Sequence, residues 1–204
     1  MMSWPNRITI ARILLLPVFV ALLLQSDEAH WLRYAAMGVF AAMALCDFLD
    51  GQLARRLRQR TALGTILDPI ADKLVLTVSV IILTYPRWPG YETDLHIPRW
   101  VTVTILSKDA FVVIGVFILH LLTGKSDLVN PSRLGKWATA LTFLLVLLTL
   151  VGPDTARWLS AEGMYLAFLV GFGGVVALLS AVACLDYIRI GSKTLAHHRG
   201  EEHI

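Results

Sequence analysis

The sequence predicts an all-α integral membrane protein, a bundle of about six transmembrane helices. Of its 204 residues, 56% are apolar and 16% are charged, and the mean hydropathy is +0.66. Soluble domains are about 45–50% apolar and about 25% charged, so a soluble enzyme is excluded on both counts. The apolar residues also fall into long runs with short connections between them. At about 20 residues per span, the chain has room for about six helices.

Each predicted helix corresponds to one apolar run. Turn-forming sequences separate the runs, among them Gln25-Ser26-Asp27-Glu28 and Gly152-Pro153-Asp154. Because the connections are short, neighbouring helices are expected to be antiparallel. We expect a single transmembrane catalytic domain over residues 1–195 and a solvated tail over 196–204. The predicted helices are Ile8–Leu24, Trp31–Leu49, Leu63–Tyr85, Trp100–Leu122, Trp137–Val151 and Met164–Ile190.

Basic residues are concentrated in loops on one side of the predicted bundle. By the positive-inside rule this side is cytoplasmic, and both termini lie on it, as an even number of spans requires. The net charge of +3 therefore reflects the orientation of the protein in a membrane, and no nucleic-acid partner is expected. We expect this membrane to be the inner membrane of a bacterium. The cytoplasmic bases are Arg7, Arg12, Arg55, Arg56, Arg58, Arg60, Lys125, Arg133, Lys136, Arg189, Lys193 and Arg199, against Arg33, Arg87, Arg99 and Arg157 on the opposite side.

Four aspartates lie in the second and third predicted helices. Asp47 and Asp50 are three residues apart, and Asp68 and Asp72 are four apart. Each spacing places a pair on one face of a helix, and the short basic loop between the helices makes them antiparallel neighbours. Carboxylates are rare inside membrane helices and are usually functional there. Because four converging negative charges repel one another, they require neutralisation.

Three explanations of this neutralisation are open. Protonation would indicate a proton relay, as in a carboxylate-based cation or proton transporter. Divalent cations such as Mg²⁺ or Mn²⁺ prefer oxygen ligands and accompany phosphate-bearing substrates. Ion pairing with Arg55, Arg56 and Lys73 is the third. A transporter is disfavoured because transporters often contain internal repeats, whereas this acid cluster occurs once. Small residues beside the acids leave room for a ligand or for close helix packing: Gly51, Ala54 and Gly64.

The full pattern Asp47-x2-Asp50-Gly51-x2-Ala54-Arg55-x8-Gly64-x3-Asp68-x3-Asp72 resembles the complete signature of the CDP-alcohol phosphatidyltransferase family. The opening Pro5-Asn6-Arg7-Ile8-Thr9-x2-Arg12 is similar to that of the phosphatidylglycerophosphate synthases and cardiolipin synthases of this family. The resemblance implies a fold of about six helices and a homodimer. It also implies transfer of a phosphatidyl group from CDP-diacylglycerol to an alcohol acceptor, with release of CMP.

The resemblance further implies roles for individual residues. Two divalent cations, Mg²⁺ or Mn²⁺, would bind to the four aspartates, and Asp72 would also be the catalytic general base. CDP-diacylglycerol would contact Gly51, Arg55 and Thr61, with Asn6 nearby. The implied metal ligands are Asp47, Asp50, Asp68 and Asp72, and the positions expected to border CDP-diacylglycerol are Asn6, Gly51, Ala54, Arg55, Thr61 and Gly64.

The acceptor pocket is predicted from a second set of residues. Lys108 interrupts the fourth apolar run, and a lysine there needs an anion or an acidic partner. It binds the acceptor phosphate, pairs with the adjacent Asp109, or extends to the interface. Ser132, Arg133 and Lys136 either add cations and helix N-terminal donors to this pocket or cap the fifth helix on the cytoplasmic side. Glycerol 3-phosphate is the expected acceptor. Phosphatidylglycerol is the alternative, because the Lys108-Asp109 pair resembles the cardiolipin synthases more closely.

Overall fold

A computed structural model describes residues 4–26, 30–57, 62–85, 95–123 and 133–201. These ranges contain six α-helices and no β-strand, which confirms the predicted all-α class and the location of every predicted helix. The helices are α1 Trp4–Leu24, α2 His30–Leu57, α3 Ala62–Ile82, α4 Arg99–Thr123, α5 Arg133–Leu159 and α6 Glu162–Glu201.

Helices α2 and α6 extend past the ends of their apolar runs into polar sequence. Helix α2 continues from the predicted end at Leu49 to Leu57, and α6 continues from Ile190 to Glu201. Both extensions contain polar residues with high helix propensity, such as Gln, Arg and Lys. An apolar run ends where the surroundings become polar, whereas a helix ends where its backbone hydrogen bonds end. Consequently Asp50 and Arg55 both lie within α2, Arg55 in its last turn.

The predicted turn at Gly152-Pro153-Asp154 is wrong, because these residues lie inside α5. Gly152 and Pro153 are buried, and the packing of this segment maintains the helix despite the proline. The turn occurs instead at Ser160, which has a positive φ of 48°. The backbone N–H of Ala161 donates to the carbonyl of Ala156 at 3.1 Å. This is the hydrogen bond of a Schellman C-cap, in which the residue after the helix is left-handed.

The chain forms two compact units, of which the first contains residues 1–96 and 146–165. Within it α1 packs against both α2 and α3. The rings of Phe19 and Phe40, both fully buried, lie 5.5 Å apart between centroids. At the end of α5, the Tyr165 hydroxyl donates to the carbonyl of Leu148 at 2.9 Å. This contact holds the beginning of α6 against the C-terminal half of α5.

The second unit contains residues 97–145 and 166–204. Here α4 and α6 approach closely at a glycine of α6. A Cβ atom on Gly173 would lie 3.2 Å from Cγ2 of Val101, and one on Gly174 would lie 3.5 Å from the Trp100 ring. Close approach at small residues is typical of helix packing in membranes. The backbones of α4 and α6 therefore meet near the beginning of α4.

All six helices expose large apolar side chains. Among the described residues, two helical segments are long and apolar enough to cross a membrane, Leu134–Ala156 and Glu162–Arg189. Shorter apolar segments occur in α1, α2 and α3. Trp31, Trp100, Trp137 and Trp158 lie exposed near helix ends, as aromatic residues at a membrane interface do. The exposed apolar residues include Leu14, Leu45, Leu74, Val103, Leu144 and Leu178.

Candidate functional site

The four signature aspartates lie on two helices that share a neighbour. The backbone of α2 is helical through Asp47 and Asp50, and that of α3 is helical through Asp68 and Asp72. Each pair therefore occupies consecutive turns of its helix, as the spacing predicts. Helix α1 contacts both α2 and α3, so the two acid-bearing helices lie against the same element. The aspartate side chains themselves are outside the described part of the structure.

The expected donor-binding positions belong to the same three helices. Asn6 lies in α1, Gly64 lies in α3, and the remaining described positions lie on α2 just after Asp50. Thr61 lies outside the described residues. The side-chain contacts of Asn6, Gly64 and the positions on α2 also lie outside the described part of the structure. Their role in binding CDP-diacylglycerol therefore stays a prediction. The positions on α2 are Gly51, Ala54 and Arg55.

The side chains of the signature provide ligand atoms that fit a divalent cation. Four carboxylates on two helices provide the hard oxygen ligands that Mg²⁺ and Mn²⁺ prefer. Histidine and cysteine, the ligands that favour softer metals, do not occur in the signature. Among the side chains that the structure describes, no group of three or more His, Cys, Asp or Glu could hold a metal ion. The signature aspartates are therefore the residues whose chemistry best suits a divalent metal ion.

Arg12 is a buried residue, although its sequence position predicts only a cytoplasmic location and a place in the opening motif. It lies on α1 with 2% of its surface exposed, one turn after the fully buried Thr9. A buried arginine requires anionic or polar partners. Arg12 therefore adds a fixed positive charge to the helix that both acid-bearing helices contact. The signal in the sequence was the Thr9-x2-Arg12 spacing at the start of the first apolar run.

Lys108 is buried in α4 and pairs with its neighbour in sequence. Its exposed fraction is 5%, and its Nζ lies 3.2 Å from Oδ1 of Asp109. The structure thus contains the ion pair between Lys108 and Asp109, and this pair offsets the charge of the lysine within α4. Pairing leaves other N–H donors on the ammonium group, which has three. A role in acceptor binding stays a prediction.

The remaining acceptor-pocket residues lie at the beginning of α5. Arg133 is the first residue of this helix, and Lys136 is exposed one turn later. Ser132 lies outside the described residues, as does the side chain of Arg133. The position of Arg133 and Lys136 at a helix N-terminus agrees with the sequence, but the described contacts do not test whether they bind a phosphate.

Comparison with known proteins identifies the family. The family model for CDP-alcohol phosphatidyltransferase matches residues 2–182. A CDP-diacylglycerol–glycerol-3-phosphate 3-phosphatidyltransferase of Pseudomonas fluorescens is 34% identical over 92% of this chain and 89% of its own length. The corresponding protein of Escherichia coli is 29% identical over 90% of this chain and 92% of its own length. A human cardiolipin synthase (CMP-forming) is 32% identical over 94% of this chain, which spans 62% of the human protein.

The family model and the named relatives identify a transferase that acts on phosphate-bearing substrates. The chain belongs to the CDP-alcohol phosphatidyltransferase family. This is a family of membrane enzymes of phospholipid biosynthesis that generally depend on divalent cations. The resemblance inferred from the signature is confirmed.

Proposed function

We propose that this protein transfers a phosphatidyl group from CDP-diacylglycerol to glycerol 3-phosphate, forming phosphatidylglycerophosphate and releasing CMP. The observation that carries the proposal is the placement of Asp47 and Asp50 on α2 and of Asp68 and Asp72 on α3, with α1 against both helices. The relatives named as glycerol-3-phosphate phosphatidyltransferases, which align over most of both chains, support this acceptor.

In this reaction Asp72 accepts the proton of the acceptor hydroxyl. The hydroxyl oxygen bonds to the phosphorus that carries diacylglycerol, and the bond from that phosphorus to the CMP oxygen breaks. A hydroxyl attacks effectively as it loses its proton, and a carboxylate within hydrogen-bond reach is a suitable base. The proton on Asp72 then passes to solvent. This role is assigned to Asp72 because its place in the signature matches that of the family's general base.

The donor carries a pyrophosphate whose negative charge opposes attack by the acceptor. Two divalent cations held by Asp47, Asp50, Asp68 and Asp72 would neutralise this charge. Arg55 supplies a planar cation suited to bind phosphate oxygens, and the small residues Gly51 and Gly64 leave space for the cytidine nucleotide. Arg12, buried in α1, contributes further positive charge near the two acid-bearing helices. Thr61 and Asn6 are proposed as additional contacts to the donor, and Ala54 borders it.

The acceptor phosphate is proposed to bind Lys108, with Ser132, Arg133 and Lys136 contributing at the beginning of α5. A second candidate acceptor is phosphatidylglycerol, which would make the protein a cardiolipin synthase. One observation favours it: Asp109 offsets the charge of Lys108 at 3.2 Å. A phosphate monoester carries nearly two negative charges at neutral pH, whereas the phosphodiester of phosphatidylglycerol carries one. A partly neutralised lysine is better matched to the single charge.

We further propose that the six helices span the inner membrane of a bacterium as one catalytic domain over residues 1–195. The large apolar side chains exposed on every helix support this placement, since soluble monomers rarely expose contiguous apolar patches of such extent. The basic loops support a cytoplasmic location for both termini and the aspartates. The proposed assembly is a homodimer.

The acceptor is identified by its product. Purified protein is given CDP-diacylglycerol and Mg²⁺ with glycerol 3-phosphate, phosphatidylglycerol, inositol phosphate or serine in separate reactions, and the lipid formed is identified by mass spectrometry. The proposal predicts phosphatidylglycerophosphate as the principal product. Cardiolipin formed only with phosphatidylglycerol would support the second candidate instead, and a product formed only with inositol phosphate or serine would contradict both.

A further inference from the structure

Arg12 and Thr9 are polar residues buried on α1 within the first unit. Arg12 is 2% exposed, and Thr9 is fully buried. Arg12 lies two turns before Phe19, so it shares the face of α1 on which Phe19 contacts Phe40 of α2. A buried guanidinium lowers stability unless an anion accompanies it. The residues of α2 at the level of Arg12 therefore determine its role.

The contact between Phe19 and Phe40 shows that α1 and α2 are antiparallel. In a parallel pair with these rings level, Leu24 would lie about 8 Å past the contact and His30 about 15 Å before it. The six peptide steps from Leu24 to His30 span at most ~22 Å. The first of these steps is not extended, because Gln25 continues the hydrogen bonding of α1. The connection is too short for a parallel pair, so the helices are antiparallel.

Antiparallel packing brings the backbone positions of Arg12 and Asp47 to the same level. Arg12 lies seven residues before Phe19. Asp47 lies seven residues after Phe40, which is the same direction along the pair. Both positions are therefore about 10 Å from the ring contact. Asp47 also continues the inward face of α2, because it follows at helical spacing the buried residues of that face, Ala36, Phe40 and Met43.

Thr9 and Asp50 form a second level of the same register. Thr9 precedes Arg12 by three residues, and Asp50 follows Asp47 by three. Two buried polar residues of α1 thus match, at equal spacing, the two signature acids of α2. Apolar side chains would fill these positions of α1 without the cost of burying polar groups. The threonine and the arginine therefore indicate polar partners on the facing helix.

We infer that Arg12 is a positioning residue of the metal site: its guanidinium binds the Asp47 carboxylate and fixes the orientation in which this carboxylate holds a divalent cation. The inference rests on the proposed function, which assigns Asp47 to a metal. The planar guanidinium has paired N–H donors that match the two oxygens of a carboxylate, and each oxygen retains a lone pair for the cation. At the second level, the Thr9 hydroxyl donates to the Asp50 carboxylate. Partners of this kind typically change metal affinity by about 10–100-fold.

The first test measures metal binding without turnover. Purified protein in detergent is titrated with Mn²⁺ in the absence of substrate, and free Mn²⁺ is followed by electron paramagnetic resonance. Arg12→Gln should weaken Mn²⁺ binding by about 10–100-fold, and Arg12→Lys, which keeps the charge but not the paired donors, should weaken it by a smaller factor. Thr9→Val, which removes a hydroxyl at nearly constant volume, should weaken it about tenfold.

The matched control is Arg33→Gln, which removes another buried arginine of the same unit. Arg33 is 8% exposed and pairs with Asp154. It precedes Asp47 by 14 residues on α2, or about 21 Å along the axis, so its loss should leave the Mn²⁺ affinity unchanged. If Arg12→Gln does not fold, unchanged Mn²⁺ affinity in both Arg12→Lys and Thr9→Val would overturn the inference.

The second test determines whether Arg12 acts through Asp47. Melting temperatures are measured in EDTA for Arg12→Gln, Asp47→Asn and the double variant, which isolates the coupling between the two residues. Arg12→Gln should lower the melting temperature, and it should do so much less in the Asp47→Asn background. Equal losses in the two backgrounds would overturn the inference. Unchanged Mn²⁺ affinity in Arg12→Gln together with a raised KM for CDP-diacylglycerol would also overturn it, since the guanidinium would then bind a donor phosphate.

Failure of the proposed function would give a different result. If the wild-type protein binds no Mn²⁺ and releases no CMP, the assignment of the four aspartates to a metal is wrong, and the positioning role of Arg12 is wrong with it. If the wild-type protein binds Mn²⁺ and Arg12→Gln binds it equally well, the proposed function stands and the inference about Arg12 alone fails.

Discussion

Arg33 of α2 and Asp154 of α5 form an ion pair in the first unit, with 2.5 Å between Nη2 and Oδ1. Arg33 is 8% exposed, and its guanidinium carbon lies 5.7 Å from the centre of the Tyr34 ring. Arg33 precedes Asp47 by 14 residues on the same helix, which corresponds to ~21 Å along the axis. The pair therefore joins α2 to the end of α5 at a distance from the signature aspartates and serves stability rather than chemistry.

Removing one partner of this pair should lower stability. Asp154→Asn leaves the buried Arg33 guanidinium without its counter-charge and should lower the free energy of unfolding by about 2 kcal/mol. Because Asp154 is partly exposed, this loss is smaller than the ~3–5 kcal/mol that breaking a fully buried pair costs. The measurement is thermal unfolding in detergent of Asp154→Asn, Arg33→Met and the double variant. The double variant should lose less than the sum of the single losses, and strict additivity would show that the pair does not couple the helices.

Gly152 provides space for the Tyr165 ring. A Cβ atom at this position would lie 2.9 Å from Cε1 of Tyr165, and the ring is held by the hydrogen bond to Leu148. Gly152→Ala should therefore destabilise the contact between α5 and the beginning of α6 by roughly 1–3 kcal/mol despite the higher helix propensity of alanine. The matched control is Gly163→Ala in α6, where nothing lies within 4 Å and where alanine should raise stability by up to about 1 kcal/mol. Equal melting temperatures for the two variants would contradict this account.

Ser160 adopts the left-handed conformation that ends α5, with φ at 48°. Glycine occupies this position at most helix C-caps because it has no Cβ to oppose a positive φ. Ser160→Gly should therefore raise the free energy of unfolding by about 0.5–1 kcal/mol, and Ser160→Val should lower it. The exposed side chain of Ser160 leaves little packing to lose. A melting temperature that falls in Ser160→Gly would show that the cap does not limit stability.

Much of the fold could be predicted from the sequence because its signals are local. Long apolar runs predict helices, and all six were located by this criterion. The end of α5 was missed since proline and glycine usually indicate a turn. Here burial of Gly152 and Pro153, and the pair between Asp154 and Arg33, keep the chain helical to Leu159. These contacts involve residues distant in sequence, so they could not be predicted from the sequence of this segment alone.

The helices that contain the signature aspartates could likewise be predicted from the sequence. Carboxylate spacing and the signature locate the acids on α2 and α3, since three- and four-residue spacings are fixed by helix geometry. The burial of Arg12 was indicated only by its place in the opening motif, and the hydroxyl of Ser180 that makes no hydrogen bond was not indicated at all. A serine in an apolar run is indistinguishable from one that bonds to its own helix until the neighbouring helices are known.

The general base is tested separately from the metal ligands. Asp72→Asn should lower kcat by about 100-fold or more, and raising the Mg²⁺ concentration should not restore it. Asp47→Asn removes a proposed ligand without removing the base, so it should raise the Mg²⁺ concentration needed for half-maximal rate. Activity assays over a range of Mg²⁺ concentrations distinguish the two effects. Full activity of Asp72→Asn with unchanged dependence on Mg²⁺ would show that another group accepts the proton.

The central claim is that the four aspartates support metal-dependent phosphatidyl transfer, and its most direct test is CMP release. Purified protein in detergent or vesicles receives CDP-diacylglycerol and glycerol 3-phosphate, and CMP is quantified with EDTA, with added Mg²⁺ and with added Mn²⁺. We predict that CMP appears only with glycerol 3-phosphate and a divalent cation present, in amounts equal to the phosphatidylglycerophosphate formed. EDTA should abolish the release, and excess Mg²⁺ or Mn²⁺ should restore it. CMP release that EDTA does not reduce, or no release with any alcohol acceptor at any metal concentration, would contradict the claim.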